Sequence, residues 1–469
     1  MQRTMKKYWF IAVIVVMIPV TIGIYHSTKA IPKHISYESA VYHTNDVQFL
    51  YDLTYEKNGE RVMEQQLKRE ALSIIEEAED FLVVDLFLYN DDYDRAKGDY
   101  PAAAADFTNA LLKKRAASPD MPMTVITDAV NELYGAVGNR FFEQLRAQQI
   151  DVIITNTKPL RDSNPLYSSV WRTYLQWWPV SENGFLPNAF NPDGEKGSFG
   201  AYFDLLNFKA NHRKIVMNES RALITSANLT HDGSSFHSNI GFTVSGPILA
   251  DVYKSEQAVA ALSHMVLEDY VFPTEQSGEL AVKLVTEGKI QDEMLRVIRA
   301  AESIQIGVFY MADRKLIAAL KEAAARGVKI QLLLDPNKDA FGLEKNGIPN
   351  RQIAAELMRE PNVDVRFYAT NGEQFHSKFL YAEAGDTATL IGGSANFTRR
   401  NVQDYNLESN LAIMMPKDAA FAKEFQAYYA RMWHNEDGEY TVDFAQYEDQ
   451  SIWKKLVYRF QEWTGLSTF

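Results

Sequence analysis

The 469-residue sequence contains no cysteine, which excludes disulfide bonds and thiolate metal sites. Basic residues are also few: 48 Lys and Arg stand against 61 Asp and Glu, for a net charge of −13. This balance disfavours nucleic-acid binding unless basic residues gather in one cleft. With 46% hydrophobic and 23% charged residues, the composition is typical of a folded protein. The length indicates two domains, which packing alone must stabilise.

Charge is absent from one long run near the start, residues 8–25. Its eighteen residues are just sufficient to cross a hydrocarbon core of about 30 Å. Arg3, Lys6 and Lys7 precede the run, which favours a cytoplasmic amino terminus and an extracytoplasmic remainder. We therefore predict a retained single-pass membrane anchor over residues 1–30. The alternative is a signal peptide cleaved at Ala30, although Pro32 crowds that site.

One order of elements occurs twice after this segment. Residues 72–90 and 295–313 share an amphipathic helix, a turn and an apolar strand. In each copy a second strand follows, ending at Asp128 or Asp335, and then a helix and a third strand. This alternation predicts an α/β fold with two similar α/β sandwich domains, an internal duplication. Proline, glycine and polar residues near 265–280 divide the chain into domains 31–270 and 271–450.

Both copies end in the same four residue types, in the same order: His212, Lys214, Ser226 and Asn228 in the first, and His376, Lys378, Ser394 and Asn396 in the second. Residues two apart on a strand project from one face, so each histidine and its lysine point the same way. A turn and a returning strand bring the serine and asparagine beside them. Alone, each motif is ordinary surface or a turn. Their recurrence at corresponding points favours a catalytic site.

The paired motifs resemble the two His-x-Lys signatures of the phospholipase D superfamily. "NFKANHRKIV" and "GGSANFTRRNVQDYNLE" are also similar to stretches of bacterial cardiolipin synthases. The resemblance implies two domains about a pseudo-twofold axis, with one active site at their interface. It also implies metal-independent, cofactor-free cleavage or transfer of a phosphodiester through a phosphohistidine. His212 is then the nucleophile and His376 the general acid and base, although the reverse assignment stays open.

The chemistry of a phosphodiester is consistent with these residues. Its negative charge requires cations and hydrogen-bond donors, which Lys214, Lys378, Asn228 and Asn396 can supply, with the Ser226 and Ser394 hydroxyls. A pair of histidines can divide nucleophilic attack and proton transfer.

The first copy departs from the family pattern. By analogy, Glu408 in "NLE" orients a catalytic histidine, whereas the matching "NIG" offers only Gly241. The glycine before the second serine, Gly393, is Thr225 in the first copy, and Glu219 and Glu383 replace the aspartate that follows each lysine.

Two apolar segments bear on the substrate. An insertion over residues 158–211 is rich in aromatics, which indicates an extra hydrophobic subcore, an apolar lid for lipid tails, or a membrane-interface belt. Residues 451–469 form an amphipathic pattern, typical of a helix that docks on the domain or lies on an anionic bilayer.

We therefore predict a phospholipase D-type phosphodiesterase or phosphatidyltransferase, anchored in the cell membrane with its catalytic part outside. Its expected partners are phospholipid and membrane, not nucleic acid. Transfer of the cardiolipin-synthase kind is the favoured reaction. A family endonuclease and a non-catalytic lipid-binding protein are the alternatives. The sequence does not identify the head group, the acceptor or the oligomeric state.

Overall fold

The computed structural model describes residues 2–275, 277–340, 343–467 and 469. The chain begins with helix α1 (Gln2–Thr28), which contains Pro19. Its portion Tyr8–Thr28 is long and apolar enough to span a membrane, by length and composition.

The next strand, β1 (Tyr42–Thr44), starts the globular part. It pairs antiparallel with a strand that begins at Leu280, in the second half of the chain. The predicted first domain, residues 31–270, therefore gives its opening residues to the second sheet. This pairing joins residues far apart in sequence, so no local pattern could reveal it.

The first half contains these further elements in chain order: β2 (Val47–Lys57), β3 (Glu60–Gln65), α2 (Leu67–Glu77), β4 (Leu82–Leu86), β5 (Tyr89–Asn90), α3 (Ala103–Ala117), β6 (Met123–Thr127), α4 (Arg140–Ala147), β7 (Asp151–Ile154), α5 (Pro165–Val170), α6 (Phe199–Leu205), β8 (Lys214–Asn218), β9 (Arg221–Thr225), β10 (Thr230–His231), β11 (Asn239–Ser245) and α7 (Ile248–Leu262). A π-helical turn, Trp171–Leu175, extends α5. Eight strands form a sheet in the order β3-β2-β11-β9-β8-β4-β6-β7, and β5 pairs with β10.

The second half contains β12 (Leu280–Thr286), α8 (Gly288–Ala300), β13 (Ser303–Val308), α9 (Arg314–Ala325), β14 (Lys329–Leu334), β15 (Asp339–Ala340), β16 (Leu343–Glu344), α10 (Asn350–Leu357), β17 (Val363–Tyr368), β18 (Lys378–Ala384), β19 (Thr387–Gly393), α11 (Arg399–Val402), β20 (Ser409–Pro416), α12 (Ala420–His434), β21 (Thr441–Asp443) and α13 (Ile452–Thr464). Its nine-stranded sheet has the order β1-β12-β20-β19-β18-β13-β14-β17-β21. The central run β20-β19-β18-β13-β14-β17 corresponds strand for strand to β11-β9-β8-β4-β6-β7 of the first sheet.

Apolar cores hold these layers together. The outer face of each sheet is covered by amphipathic helices of its own half, as Ile74 of α2 and Met294 of α8 illustrate. The inner faces share one core, in which Phe242 of β11 and Phe379 of β18 are fully buried. Contact between the sheets is close, because a Cβ at Gly392 would lie 2.8 Å from Ile240. The carboxyl ends of strands from both halves can therefore meet around one site.

Candidate active site

Each histidine of the paired motifs stands directly before a strand of its own sheet. His212 precedes β8, and His376 precedes β18. The His212 backbone N–H donates to the Leu407 carbonyl at 2.9 Å, and that of His376 donates to the Ser238 carbonyl at 2.8 Å. Since Leu407 belongs to the second half and Ser238 to the first, each histidine is held by the opposite half of the chain.

One cavity of about 370 Å³ is lined by both histidines. Asn228 and Asn396 line the same cavity. The Oδ1 atoms of these asparagines are buried and have no hydrogen-bond partner among the described residues. Because buried polar groups are normally satisfied, these amides are available to a ligand.

The two histidines have different partners at Nδ1. The Nδ1 atom of His212 lies 2.9 Å from Oε1 of Glu408, and that of His376 lies 3.0 Å from Oδ1 of Asn239. The expectation that Gly241 stands opposite Glu408 was wrong by two residues. Asn239 is the true counterpart, so an amide orients one histidine and a carboxylate orients the other.

The serines of the motifs do not line this cavity. Ser226 Oγ donates to Oδ1 of Asn239 at 3.0 Å, and Ser394 Oγ donates to Oε2 of Glu408. Both serines are fully buried. Instead of facing a ligand as predicted, each hydroxyl fixes the side chain that orients the histidine of the other half.

The lysines lie behind the histidines and are fully buried. Lys214 Nζ donates to the carbonyl of His212 at 2.8 Å, and Lys378 Nζ donates to that of His376. Burial lowers the pKa of Lys214 to about 7, although Glu408 and other nearby carboxyls act against this shift. Burial, reinforced by Lys214, holds the pKa of Lys378 well below its usual value.

Both imidazoles also titrate below their usual range. Burial lowers the pKa of His212 from 6.5 to about 4, with Glu408 opposing the shift and Lys214 adding to it. Burial and the neighbouring positive charge of Lys378 also lower the pKa of His376 well below its usual value. Both rings are therefore neutral near pH 7 in the free protein. A bound anion would raise both pKa values, because it favours the charged form of each ring.

Two aspartates, each directly after a strand, accept hydrogen bonds from the backbone of the residue that precedes each histidine. Asp128 Oδ2 accepts the backbone N–H of Asn211 at 2.7 Å, and Asp335 Oδ2 accepts that of Phe375 at 2.8 Å. Burial raises the pKa of each aspartate to about 7. Asp128 and Asp335 follow β6 and β14 at equivalent positions of the two halves. This equivalence is the sequence signal that could have identified them as part of the site.

Glu219 and Glu383, which replace the aspartate of the family pattern, do not line the cavity. Glu219 accepts the backbone N–H of Glu79 at 3.2 Å, and Glu383 accepts the hydroxyl of Tyr381 at 3.1 Å. They stabilise turns and strand ends rather than the catalytic residues.

The insertion forms one wall of the cavity through Phe190, Leu205 and Phe208. It is not a closed subcore: Trp171 is buried, but the exposed fraction is 75% for Trp177 and 61% for Phe185. Two further histidines line the cavity, His231 and His237, and the ring of His237 lies 5.8 Å from that of His376.

Comparison with known proteins gives one family match over part of the chain. Residues 294–433 match the family model described as "Cardiolipin synthase, PLD-like domain", where PLD stands for phospholipase D. No curated protein matches the sequence.

Among solved structures, phosphatidylserine synthase from Haemophilus influenzae Rd KW20 is similar with a TM-score of 0.58 and 10% identity. The match covers 91% of this chain and 95% of that one. NucT from Helicobacter pylori matches with a TM-score of 0.29 and 20% identity, over 35% of this chain and 99% of its own. The family match confirms the resemblance predicted from the paired motifs, and the synthase likeness shows a shared fold.

Proposed function

We propose, from the phospholipase D-like domain that this chain carries over residues 294–433, that the protein is a phospholipid phosphodiesterase or phosphatidyltransferase. Transfer to an alcohol, as in cardiolipin synthesis, is the favoured reaction. The matching strand orders of the two sheets support an internal duplication with one active site between the halves.

One observation carries this proposal. Two imidazoles from opposite halves line one cavity, and the Nδ1 atom of each faces an acceptor from the other half. An Nδ1 atom that donates to its acceptor leaves the Nε2 lone pair of a neutral ring available as a nucleophile or base.

In the first step, His212 Nε2 attacks phosphorus, a nitrogen–phosphorus bond forms, and the bond from phosphorus to the leaving alkoxide breaks. His376, protonated once the anionic substrate has raised its pKa, donates its proton to the alkoxide. The carboxylate of Glu408 stabilises the positive charge that develops on the ring of His212. Asn239 offers only an amide dipole to His376, which is why we assign the covalent role to His212.

In the second step, neutral His376 takes a proton from water or an acceptor alcohol. The oxygen attacks phosphorus, the nitrogen–phosphorus bond breaks, and His212 is regenerated. The Nδ2 amides of Asn228 and Asn396 would donate to the non-bridging oxygens, and Lys214 and Lys378, once the bound anion has raised their pKa values, would supply positive charge from behind the histidines.

A second part of the proposal is that the enzyme works on a membrane surface. Helix α1 runs antiparallel to the insertion: Gly23 lies against Ser169, and the Tyr174 hydroxyl donates to the Val15 carbonyl at 3.0 Å. From residue 23 to residue 15 this contact follows α1 for about 12 Å. A lipid-embedded α1 therefore brings this part of the insertion into the membrane, beside the outer half of the span.

Helix α13 adjoins these elements. A Cβ at Gly465, directly after α13, would lie 2.0 Å from the carbonyl oxygen of Ser163, just before α5. The apolar side of α13 is exposed, with exposed fractions of 72% for Trp453 and 71% for Trp463, while Tyr458 docks the helix on the second half. Adjoining exposed tryptophans and basic side chains are typical of segments that lie in a membrane interface. Arg3, Lys6 and Lys7 favour an extracytoplasmic catalytic part.

The test is mass spectrometry of phospholipid vesicles incubated with the purified full-length protein, with and without a short alcohol as acceptor. We expect free head group or a transphosphatidylation product, and its loss in both His212→Ala and His376→Ala. The exposed His43→Ala variant is the matched control and should keep full activity. Activity retained in either cavity variant would contradict the mechanism, and cleavage of DNA but not lipid would favour the endonuclease.

A further inference from the structure

The cavity contains a buried cation that the mechanism above does not use. Arg400, at the start of α11, lines the same cavity as His212 and His376 but is only 7% exposed. Its Nε donates to the Ser163 hydroxyl at 3.2 Å, and its Nη2 donates to the Gly465 carbonyl at 2.8 Å. Both acceptors are neutral, so these contacts orient the guanidinium without balancing its charge.

The other buried arginines are compensated. Arg213 pairs with Glu256 at 2.9 Å and Glu287 at 2.7 Å, and Arg172 pairs with Asp162 at 2.7 Å. Arg115 donates to the backbone carbonyls of residues 118, 119, 121 and 149. Among the described residues, Arg400 is thus the buried arginine that faces the cavity with no carboxylate partner and with only one backbone carbonyl and one hydroxyl as acceptors.

Nearby groups do not neutralise it. The groups that act electrostatically on Arg400 are the phenol of Tyr134 and the cation of Arg399, and no carboxylate is among them. Lys209, a second buried cation on the cavity wall, is already paired with Asp162 at 2.5 Å. An unpaired buried charge costs several kcal/mol, which a bound anion would offset.

We propose that Arg400 forms a second anion subsite, which binds a phosphate or carboxylate that the phospholipid substrate carries in addition to its scissile phosphodiester. This inference rests on the proposed function. Arginine suits the task because its planar fork donates two hydrogen bonds to one phosphate or carboxylate. The guanidinium also lies 5.3 Å from the ring of Phe208, which limits its side-chain freedom.

The subsite narrows the substrate class. A cavity of about 370 Å³ accommodates a head group but not the lipid tails, and we assign both anions to the polar part of the donor lipid. A lipid with a diphosphate, a phosphorylated head group or a carboxylate head group fits this description. Phosphatidylcholine, whose head group ends in a cation, does not.

The experiment compares phosphatidylglycerol with phosphatidylglycerol phosphate, which differ by one terminal phosphate, and includes phosphatidylserine for the carboxylate. The measured quantity is the ratio of kcat/KM for each doubly anionic lipid to that for phosphatidylglycerol. We expect the wild-type ratio to exceed one for at least one of these lipids, and Arg400→Gln to lower it at least tenfold. The neighbouring Arg399→Gln, which removes a half-buried cation outside the cavity lining, should leave the ratio within twofold.

Arg400→Lys separates recognition from structure. A lysine keeps the charge but lacks the planar fork that donates to both Ser163 and Gly465. If Arg400 were purely structural, Arg400→Lys and Arg400→Gln would lose the same thermal stability. The ratio of kcat/KM values would then be unchanged in both variants. Partial rescue of the ratio by lysine supports the subsite. An unchanged ratio in Arg400→Gln overturns it.

A binding arm separates the failure of this inference from that of the proposed function. Calorimetric titration of the full-length protein with inorganic pyrophosphate should show binding that Arg400→Gln weakens at least tenfold. If such binding occurs but no lipid reacts, the subsite stands and the proposed function fails. If lipid is turned over without any preference for a second anion, the proposed function stands and the subsite fails.

Discussion

The Oε1 atom of Glu408 lies 2.9 Å from the Nδ1 atom of His212, although these residues come from opposite halves of the chain. The corresponding pair, Asn239 and His376, is separated by 3.0 Å. The site is thus symmetric in geometry and asymmetric in charge. A carboxylate stabilises a cationic ring more strongly than an amide does, so this difference is a physical basis for dividing the roles of the histidines.

Glu408→Gln should reduce kcat by about 10²-fold or more, because the amide no longer stabilises the positive charge on His212. The double variant Glu408→Gln with Asn239→Asp moves the carboxylate to His376. We expect the covalent phosphatidyl group, trapped by quenching in alkaline denaturant and located by peptide mass spectrometry, to move from His212 to His376. Phosphate on His212 in both proteins would contradict the idea that the carboxylate selects the nucleophile.

Ser394→Ala should destabilise the protein by roughly 1–3 kcal/mol, because it removes a buried hydrogen-bond donor to Glu408. The measurement is the free energy of unfolding from denaturant titration. Ser409→Ala is a matched control: Ser409 is equally buried, but its hydroxyl has no partner among the described residues. A similar loss in both variants would show that burial of the serine, rather than its contact, matters.

Much of this site could be predicted from local sequence. Alternation along a strand does not extend to the histidines, because β8 begins at Lys214 and β18 at Lys378, and each lysine packs behind its histidine rather than beside it in the cavity. The returning strands also stop short of the serines, because β9 ends at Thr225 and β19 at Gly393, before each Ser-Ala-Asn. Without a strand, residues two apart need not share a face, so the asparagines line the cavity and the serines do not.

The wrong counterpart of Glu408 has another cause, which is the pairing between strands that are distant in sequence. Aligning "NIG" with "NLE" by residue type makes Gly241 the counterpart of Glu408, whereas the true counterpart is Asn239. Ser226 N–H donates to the Ile240 carbonyl, and Ser394 N–H donates to the Ser409 carbonyl, so Asn239 and Glu408 each immediately precede equivalent positions. Register of this kind depends on hydrogen bonds across the sheet, which a single sequence does not specify.

Stability should fall as the pH drops below about 6.5, in part because His376 is buried in its neutral form. Its folded-state pKa lies well below 6.5, so below that pH the unfolded chain binds a proton that the folded chain excludes. One such proton changes the free energy of unfolding by up to about 1.4 kcal/mol per pH unit. His376→Asn should therefore show a shallower loss of stability between pH 6.5 and 5 than the wild type, measured by denaturant titration. The exposed His43→Asn should not, and equal slopes in all three proteins would contradict this account.

The proposed membrane contact can be tested with single labels, because the chain has no cysteine of its own. Trp177→Cys and Trp463→Cys replace exposed side chains, the first on the insertion, which adjoins α1, and the second on α13, whose end adjoins the insertion. A polarity-sensitive fluorophore at either site should shift to the blue, and brominated lipids should quench it, when the full-length protein is reconstituted into vesicles. Glu60→Cys on the exposed β2–β3 hairpin is the control and should report water. If the labels at 177 and 463 resemble the one at 60, the insertion and α13 do not face lipid, and the enzyme contacts the membrane through α1 alone.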